Sequence, residues 1–411
     1  MNKKASKIVL VTTVGLMLLT TVSIGISNKE DYEVKDISGN RSVLDNVNVV
    51  YQEHNGYYKT SEVKISKDNI DVKKHSKDSV RSLPLKKEYR ENRDIFKSVN
   101  DSKNMYKTEN SIGEIHASKD YKTSDYGELY ANVTSRDLKS KKDNYYEIPL
   151  NYKFKNNNDN NSVSQTIVYN NELYVLVGID KSPGYLDEEE TISISKGCLA
   201  NIYKLDLENK SSELVASRVV ADKEDLASLS DISFKYENTL YFIKESIDDS
   251  NKDNMKRKFE LMSYDFKNNK FNSEKMPFDM KANNNISNFY VEGDKVILLT
   301  NDIVNKNKLS MKLSTFDLKN KKWINQNEEY NISVDDNKDG ISITSMRYID
   351  NKLYLIIDSS EYAEKTGPSA PLNRQYLYVI DKNTKKNLYS GIIRNDSTTY
   401  VSPNILTNDE I

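Results

Sequence analysis

Apolar and polar residues alternate over short distances along this chain, and one phrase built on that pattern returns four times. "YNNELYVLVGID" starts at Tyr169, "YENTLYFIKE" at Tyr236, "YVEGDKVILLT" at Tyr290 and "YIDNKLYLIID" at Tyr348. Each opens on tyrosine, crosses a few residues rich in Asn, Asp, Glu or Gly, and ends in an apolar run. Apolar runs of about four to eight residues bounded by turn formers read as buried strands. A second phrase follows in each unit: "IYKLDLENKSSEL" from Ile202, "LMSYDFKNNKFN" from Leu261, "LSTFDLKNKKWI" from Leu313 and "LYVIDKNTKKNL" from Leu377. Its aspartates, Asp206, Asp265, Asp317 and Asp381, are 59, 52 and 64 residues apart, while Leu173, Leu240, Val296 and Leu353 of the first phrase are 67, 56 and 57 apart. Two strand pairs per unit predict a four-stranded antiparallel sheet, repeated along the chain. That is the pattern of a β-propeller.

The units cover residues 161–411, and four of them are few for a propeller. Residues 28–160 are more polar, yet "NVNVVYQEHNGYYKTSEVKISKDNIDVKKH" offers strands at Val47–Tyr51, Tyr57–Ile65 and Ile70–Val72, broken at Asn55-Gly56 and Asp68-Asn69. "GELYANV" and "YYEIPLNYKF" add strands at 127–154, whereas 76–126 is dominated by charge and shows weak periodicity. The C-terminal "TTYVSPNILTNDEI" supplies a strand that closes against the N-terminal blade. The expectation is an all-β chain, a β-propeller of about six four-stranded blades behind an N-terminal transmembrane helix. A β-sandwich preceded by a disordered stalk is the competing architecture.

The second phrase resembles the repeat of quinoprotein-like and YVTN-type β-propellers, and "YLYVIDKNTKKNLYSG" from Tyr376 is its nearest copy. The resemblance runs over roughly residues 163–395 and implies the blade. It implies no active site, because Lys385 replaces the turn glycine, Trp323 is the only tryptophan and nothing matches a quinone-binding constellation.

The N-terminus changes the picture of the compartment. Lys3, Lys4 and Lys7 precede the uncharged run Ile8–Ile26, and Lys29, Glu30 and Asp31 follow it. Such a run is long enough to span a bilayer core and the lysines favour a cytoplasmic start, so residues 1–27 read as a membrane anchor. The chain then reads as a single-pass protein of the cell membrane with its C-terminal part extracytoplasmic. Gly25 and Ser27 also fit a small-x-small cleavage site, which would make the protein secreted. Heavy use of Lys, Asn and Ile with few Gly and Ala points to an AT-rich genome, as in a Gram-positive bacterium.

Sixty basic residues against 62 acidic ones leave a net charge of −2, and no basic stripe interleaves with aromatics, so nothing points to nucleic acid. A single cysteine, Cys198, excludes an intramolecular disulfide.

Candidate chemistry is sparse. Asp335, Asn337 and Asp339, with Gly340, fit the first half of a calcium loop, in which alternate oxygens converge and glycine makes the turn. Ile343 and Met346 occupy the ninth and twelfth positions, so the bidentate glutamate is missing and a polar turn explains the same residues. Calcium is the one cofactor to which any residues point. The acid run Asp187–Glu190 reads as a solvated loop. His54, His75 and His116 are too dispersed for a metal pattern, and Cys198 reads as a small buried hydrophobe. The phrase aspartates read as acceptors for N–H groups of their own turns. No G-x-S-x-G, H-E-x-x-H, P-loop or G-x-G-x-x-G occurs.

Antiparallel order puts the tight turns on one face and the longer loops on the other. Those loops lie near 181–196, 246–257, 301–308 and 359–373, where Pro183, Tyr185, Tyr362, Pro368 and Pro371 offer rigid or aromatic surface. The functional expectation is a membrane-tethered binding or sensing module for an envelope protein, peptide or glycan. The alternative is an envelope carbohydrate-active hydrolase or lyase with carboxylates in the propeller channel.

Overall fold

The structure, a computed structural model, describes residues 32–54, 59–76, 92, 95–96, 102–120, 126–181, 183–185, 193–250, 255–281, 286–305, 308–334, 341–359, 374–395 and 403–410. Its strands group into six antiparallel four-stranded blades. An initial strand, β1 (Tyr32–Gly39), precedes blade I, which holds β2 (Val47–His54), β3 (Lys59–Ile65) and β4 (Ile70–Ser76). Blade II holds β5 (Met105–Lys107), β6 (Ser111–Asp120), β7 (Glu128–Asp137) and β8 (Asp143–Lys153). Blade III comprises β9 (Asn160–Tyr169), β10 (Glu172–Asp180), the short β11 (Pro183–Tyr185), β12 (Ser193–Asp206) and the first half of β13 (Ser211–Tyr236). The second half of β13 opens blade IV, with β14 (Thr239–Asp248), β15 (Lys256–Asp265) and β16 (Lys270–Lys281). Blade V is β17 (Ile286–Glu292), β18 (Lys295–Asn305), β19 (Lys308–Asp317) and β20 (Lys322–Ser333). Blade VI is β21 (Ile341–Ile349), β22 (Lys352–Ser359), β23 (Arg374–Asp381) and β24 (Asn387–Asn395), and β25 (Asn404–Thr407) ends the chain.

Each repeated phrase is the second strand of a blade, and its unbroken apolar run follows from burial on both faces. In β14, Leu240 and Phe242 pack toward blade III while Tyr241 and Ile243 pack toward blade V. In β18, Val296 and Leu298 face blade IV, and Ile297 and Leu299 face blade VI. In β22, Leu353, Leu355 and Ile357 face blade V, and Tyr354 and Ile356 face blade I. Side chains alternate across a strand, so a period of two distributes one phrase between two neighbours. The apolar clusters so formed join blades II to III, III to IV, IV to V, V to VI and VI to I. Like-ranked strands meet across these seams: β17 against β21, β21 against β25, β8 against the first half of β13, β16 against β20. Sheets packed face to face in this order, with their first strands together, are a β-propeller and not a sandwich of two sheets.

The first and last described strands are built into blades at the opposite end of the described residues. β25 pairs with β2 from Val47↔Thr407 to Val50↔Asn404, completing blade I as its first strand, where the sequence leads one to look for a closing strand. β1 pairs with β24 from Tyr32↔Asn395 to Gly39↔Tyr389 and becomes a fifth strand of blade VI.

The turns explain the second phrase. Asp206, Asp265, Asp317 and Asp381 each accept from the backbone N–H three residues on, at Asn209, Asn268, Asn320 and Thr384. Asp137 does the same to Ser140, marking a fifth copy in blade II that composition hid. The residue after this bond is left-handed in all five: Lys141, Lys210, Asn269, Lys321 and Lys385, the last at φ 58° where a glycine would cost less. The first-phrase turns at Asn170-Asn171 and Asp350-Asn351 have both residues at positive φ, as two-residue hairpins require.

All five turn carboxyls are held below the ordinary aspartate value, chiefly by backbone donation from Ser140, Asn209 and Thr384 and by side-chain donation from Asn268 and Asn320. Depressed carboxyls contribute stability that is complete above about pH 4, the unfolded aspartate value, and is lost as pH falls through their folded values. Asp→Asn at all five should flatten the acid limb of a plot of Tm against pH. An acid limb identical to wild type would show that the turns do not carry it.

Two expectations are corrected. The described residues hold no helix long and apolar enough to cross a membrane, which overturns the reading as a single-pass membrane protein; the run Ile8–Ile26 on which it rested lies outside them. The loop expected at 301–308 is strand almost throughout, with Ile303 paired to Leu309 and Asn305 to Lys308. No loop separates the third blade from the fourth, because β13 runs from one into the other. Strand hydrogen bonding there continues through polar sequence, where hydropathy carries no signal.

Candidate functional site

The first strands of blades II, III and IV end together on the tight-turn face, around a recess of about 520 Å³ lined by Met105, Tyr106, Lys107, Thr108, Glu109, Thr166, Val168 and Lys235. Its walls follow from local structure. β5 is only three residues long and stops at a turn in which Thr108 N–H donates to the Ser111 carbonyl at 2.8 Å and Ser111 N–H to Thr108 Oγ1 at 3.0 Å. Thr166 of β9, 8% exposed, donates its hydroxyl to the Asn104 carbonyl at 3.0 Å and ties blade III to the turn before β5. Glu109 N–H donates to Asn171 Oδ1 at 2.7 Å, linking the turns of the same two blades. The pair Lys103–Asp231, 3.0 Å, reaches from blade II to blade IV past blade III.

Lys235 lies one residue before the end of β13. Lys235 is an exposed residue whose ammonium donates to the Val168 carbonyl at 2.6 Å and lies 5.8 Å from the Tyr169 ring centroid. Desolvation lowers its pKa from the ordinary lysine value. Both of these partners are neutral, and among the described residues no carboxylate lies within ion-pair distance of Lys235. Burial pushes the Tyr106 phenol up to about 12, so it stays protonated beside Ser111 and Ser135. The recess is thus lined by the lysines Lys107 and Lys235, by hydroxyls and by an apolar wall of Met105 and Val168, with one carboxylate, Glu109.

At the opposite strand ends, the seam between blades III and IV encloses a second polar group. Asp180 is 8% exposed, and burial raises its pKa against hydrogen bonds from Cys198, Ser195 and Ser162. Burial, with Asp180 beside it, pushes the Cys198 thiol well up, which suits an inert thiol and not a nucleophile. Glu245 accepts from Arg257 at 2.8 Å and from Ser228 at 3.3 Å. Glu245 is engaged by Arg257 inside the seam, whereas Asp180 Oδ1 is buried there with no hydrogen-bond partner among the described residues. A raised aspartate in the folded state binds protons that the unfolded chain has released. Its charge costs stability as pH rises through its folded value and costs nothing below about pH 4. Asp180→Asn should therefore raise Tm at pH 7.5, with the gain vanishing near pH 3.5. A gain that persists at pH 3.5 would assign the effect to packing.

Of the residues singled out from sequence, Pro183 and Tyr185 fall in β11, which pairs Pro183↔Ser195 and Tyr185↔Ser193 and so turns part of the expected loop into a short hairpin. Tyr362, Pro368 and Pro371 lie outside the described residues, as do Asp335, Asn337 and Asp339 of the calcium-loop pattern. Among the described residues, no group of three or more His, Cys, Asp or Glu is placed to hold a metal. The recess residues were missed because only their convergence marks them; an outward lysine at the end of an alternating strand is an ordinary surface residue in sequence.

No family model matches the chain, and no curated protein matches it. Among solved structures it is similar to the WD40 domain of SCAP from fission yeast (11% identity, 84% of this chain and 74% of that one, TM-score 0.34). The β-propeller domain of Nup133 from Vanderwaltozyma polyspora (12%, 90% and 98%, 0.33) and a Trypanosoma rangeli sialidase (11%, 80% and 56%, 0.33) are similar in the same degree. Scores this low carry no argument, and the fold rests on the strand pairing above.

Proposed function

We propose that this chain is a binding module, not an enzyme: the six blades close a ring, and a segment of a partner protein docks at the inner-strand ends of blades II, III and IV. The recess of about 520 Å³ carries this reading, because its size falls in the usual range of about 300–1,000 Å³ for ligand sites and its polar groups converge from three blades. A neutral glycan would leave the Lys235 ammonium without a counter-charge, whereas a peptide carrying an acid would supply one. The test is cross-linking of the tagged protein in lysate of its source, comparing wild type with the double variant Lys107→Glu/Lys235→Glu and with Tyr185→Ala on the loop face. A cross-linked partner lost in the recess variant and kept in Tyr185→Ala supports the reading. The reverse pattern would move the binding surface to the loop face.

A further inference from the structure

We infer that the recess is a carboxylate site, with Lys235 as its cationic anchor and the side-chain carboxylate of an acidic residue in a bound peptide as its natural occupant. The origin of the carboxylate rests on the binding-module reading; the site itself does not.

Three observations converge on a monoanion of this kind. The Lys235 ammonium is turned into the recess against a main-chain carbonyl at 2.6 Å and an aromatic ring, and no carboxylate of the described residues neutralises it. A partly desolvated cation beside an open recess gains from any anion that enters, since a hydrogen bond between charged groups is about twice as strong as a neutral one. Met105 and Val168 supply apolar wall for a short aliphatic stem, which glutamate has and phosphate lacks. The lining side chains Lys107, Lys235 and Glu109 sum to a formal charge of +1, which one carboxylate balances and a dianion overshoots. Thr166 is committed to the Asn104 carbonyl, so discrimination falls to Lys235.

Met105 is a built-in reporter, being 6% exposed and part of the wall. With the full chain labelled at the methionine methyls, propionate is titrated at constant ionic strength against sodium chloride and inorganic phosphate as controls, and the Met105 resonance is identified by its absence in Met105→Leu. A saturable shift with a midpoint on the order of 10 mM is expected for so small a probe. Lys235→Gln should weaken it roughly tenfold or more, the share of one charge-assisted bond, and Lys235→Arg should restore it. Because Lys235 is an exposed residue, all three proteins should fold alike, and their melting curves verify this. Equal shifts in wild type and Lys235→Gln, a shift reproduced by chloride, or tighter binding of phosphate than of propionate would each overturn the assignment. Propionate binding at Lys235 with no partner captured through the recess would instead sink the protein-partner reading and leave the carboxylate site standing.

Discussion

Replacing Arg347 by alanine is expected to destabilise the fold by about 2–4 kcal/mol, because this one side chain joins blades V and VI to the C-terminal strand. From β21 its guanidinium donates to both Glu410 oxygens at 2.5 and 2.7 Å, to the Ile405 carbonyl at 2.8 Å and to the Tyr290 hydroxyl at 3.1 Å, and it lies 5.0 Å from the Tyr290 ring centroid. Glu410 also accepts from Thr407 N–H at 2.8 Å, so the carboxylate holds the end of β25 in place. The side chains are 12% and 42% exposed, which sets the magnitude below that of a fully buried pair. Alanine removes every bond at once and leaves three polar groups without their partner. The change should appear as a lower midpoint in urea and as faster amide exchange at Asn404–Thr407 before the rest of the protein opens. Desolvation would raise the Glu410 pKa, but hydrogen bonds from Arg347 and Thr407 hold it below the ordinary glutamate value. The difference between wild type and variant is therefore complete above about pH 4.3 and shrinks as pH falls through the folded value. A loss under about 1 kcal/mol with unchanged exchange in β25 would show that the seating of this strand does not depend on the contact.

Phe242→Ala should cost about 3–5 kcal/mol, the range for deleting a buried aromatic side chain. Phe242 is fully buried in the seam between blades III and IV with Leu176, Ile202, Leu240 and Met262, and meets Phe271 edge to face at 6.5 Å. Its neighbour Tyr241 points the other way, stacked on Phe234 at 5.2 Å in the seam with blade V. The two substitutions should thus open different seams although they are adjacent in sequence. Exchange measured for Phe242→Ala should rise first in β10 and β12, and for Tyr241→Ala in β17 and β18. If both variants loosened the same blades, the alternation would not be what divides the seams. A loss under about 1 kcal/mol for Phe242→Ala would mean that the seam collapses around the gap.

Legibility followed the range of the forces involved. The four first phrases were readable because Leu240-Tyr241-Phe242-Ile243 and its counterparts are buried on both faces, and that requirement writes itself into consecutive residues. The second phrases were readable because Asp206 or Asp381 bonds to N–H groups three residues on. Blade II was harder: in β6, Glu114 and His116 occupy one face and Ile115 and Ala117 the other, so polar residues masked a strand whose Glu114 is buried. The fifth turn aspartate, Asp137, sits in the same blade and was passed over with it. A charged site residue such as Lys235 leaves no local mark, since its significance is that among the described residues no carboxylate reaches it.

By itself, then, the sequence determined the all-β class, the four-stranded unit and the turns of the repeated phrases, because period and turn chemistry act over a few residues. Only the tertiary structure decided that β1 joins blade VI, that β25 completes blade I, that β13 serves two blades, that Arg347 meets Glu410 and that Lys235 faces a recess. Those pairings join positions from tens to more than three hundred residues apart, and their energy exists only once the blades have packed and brought the ends of the strands together.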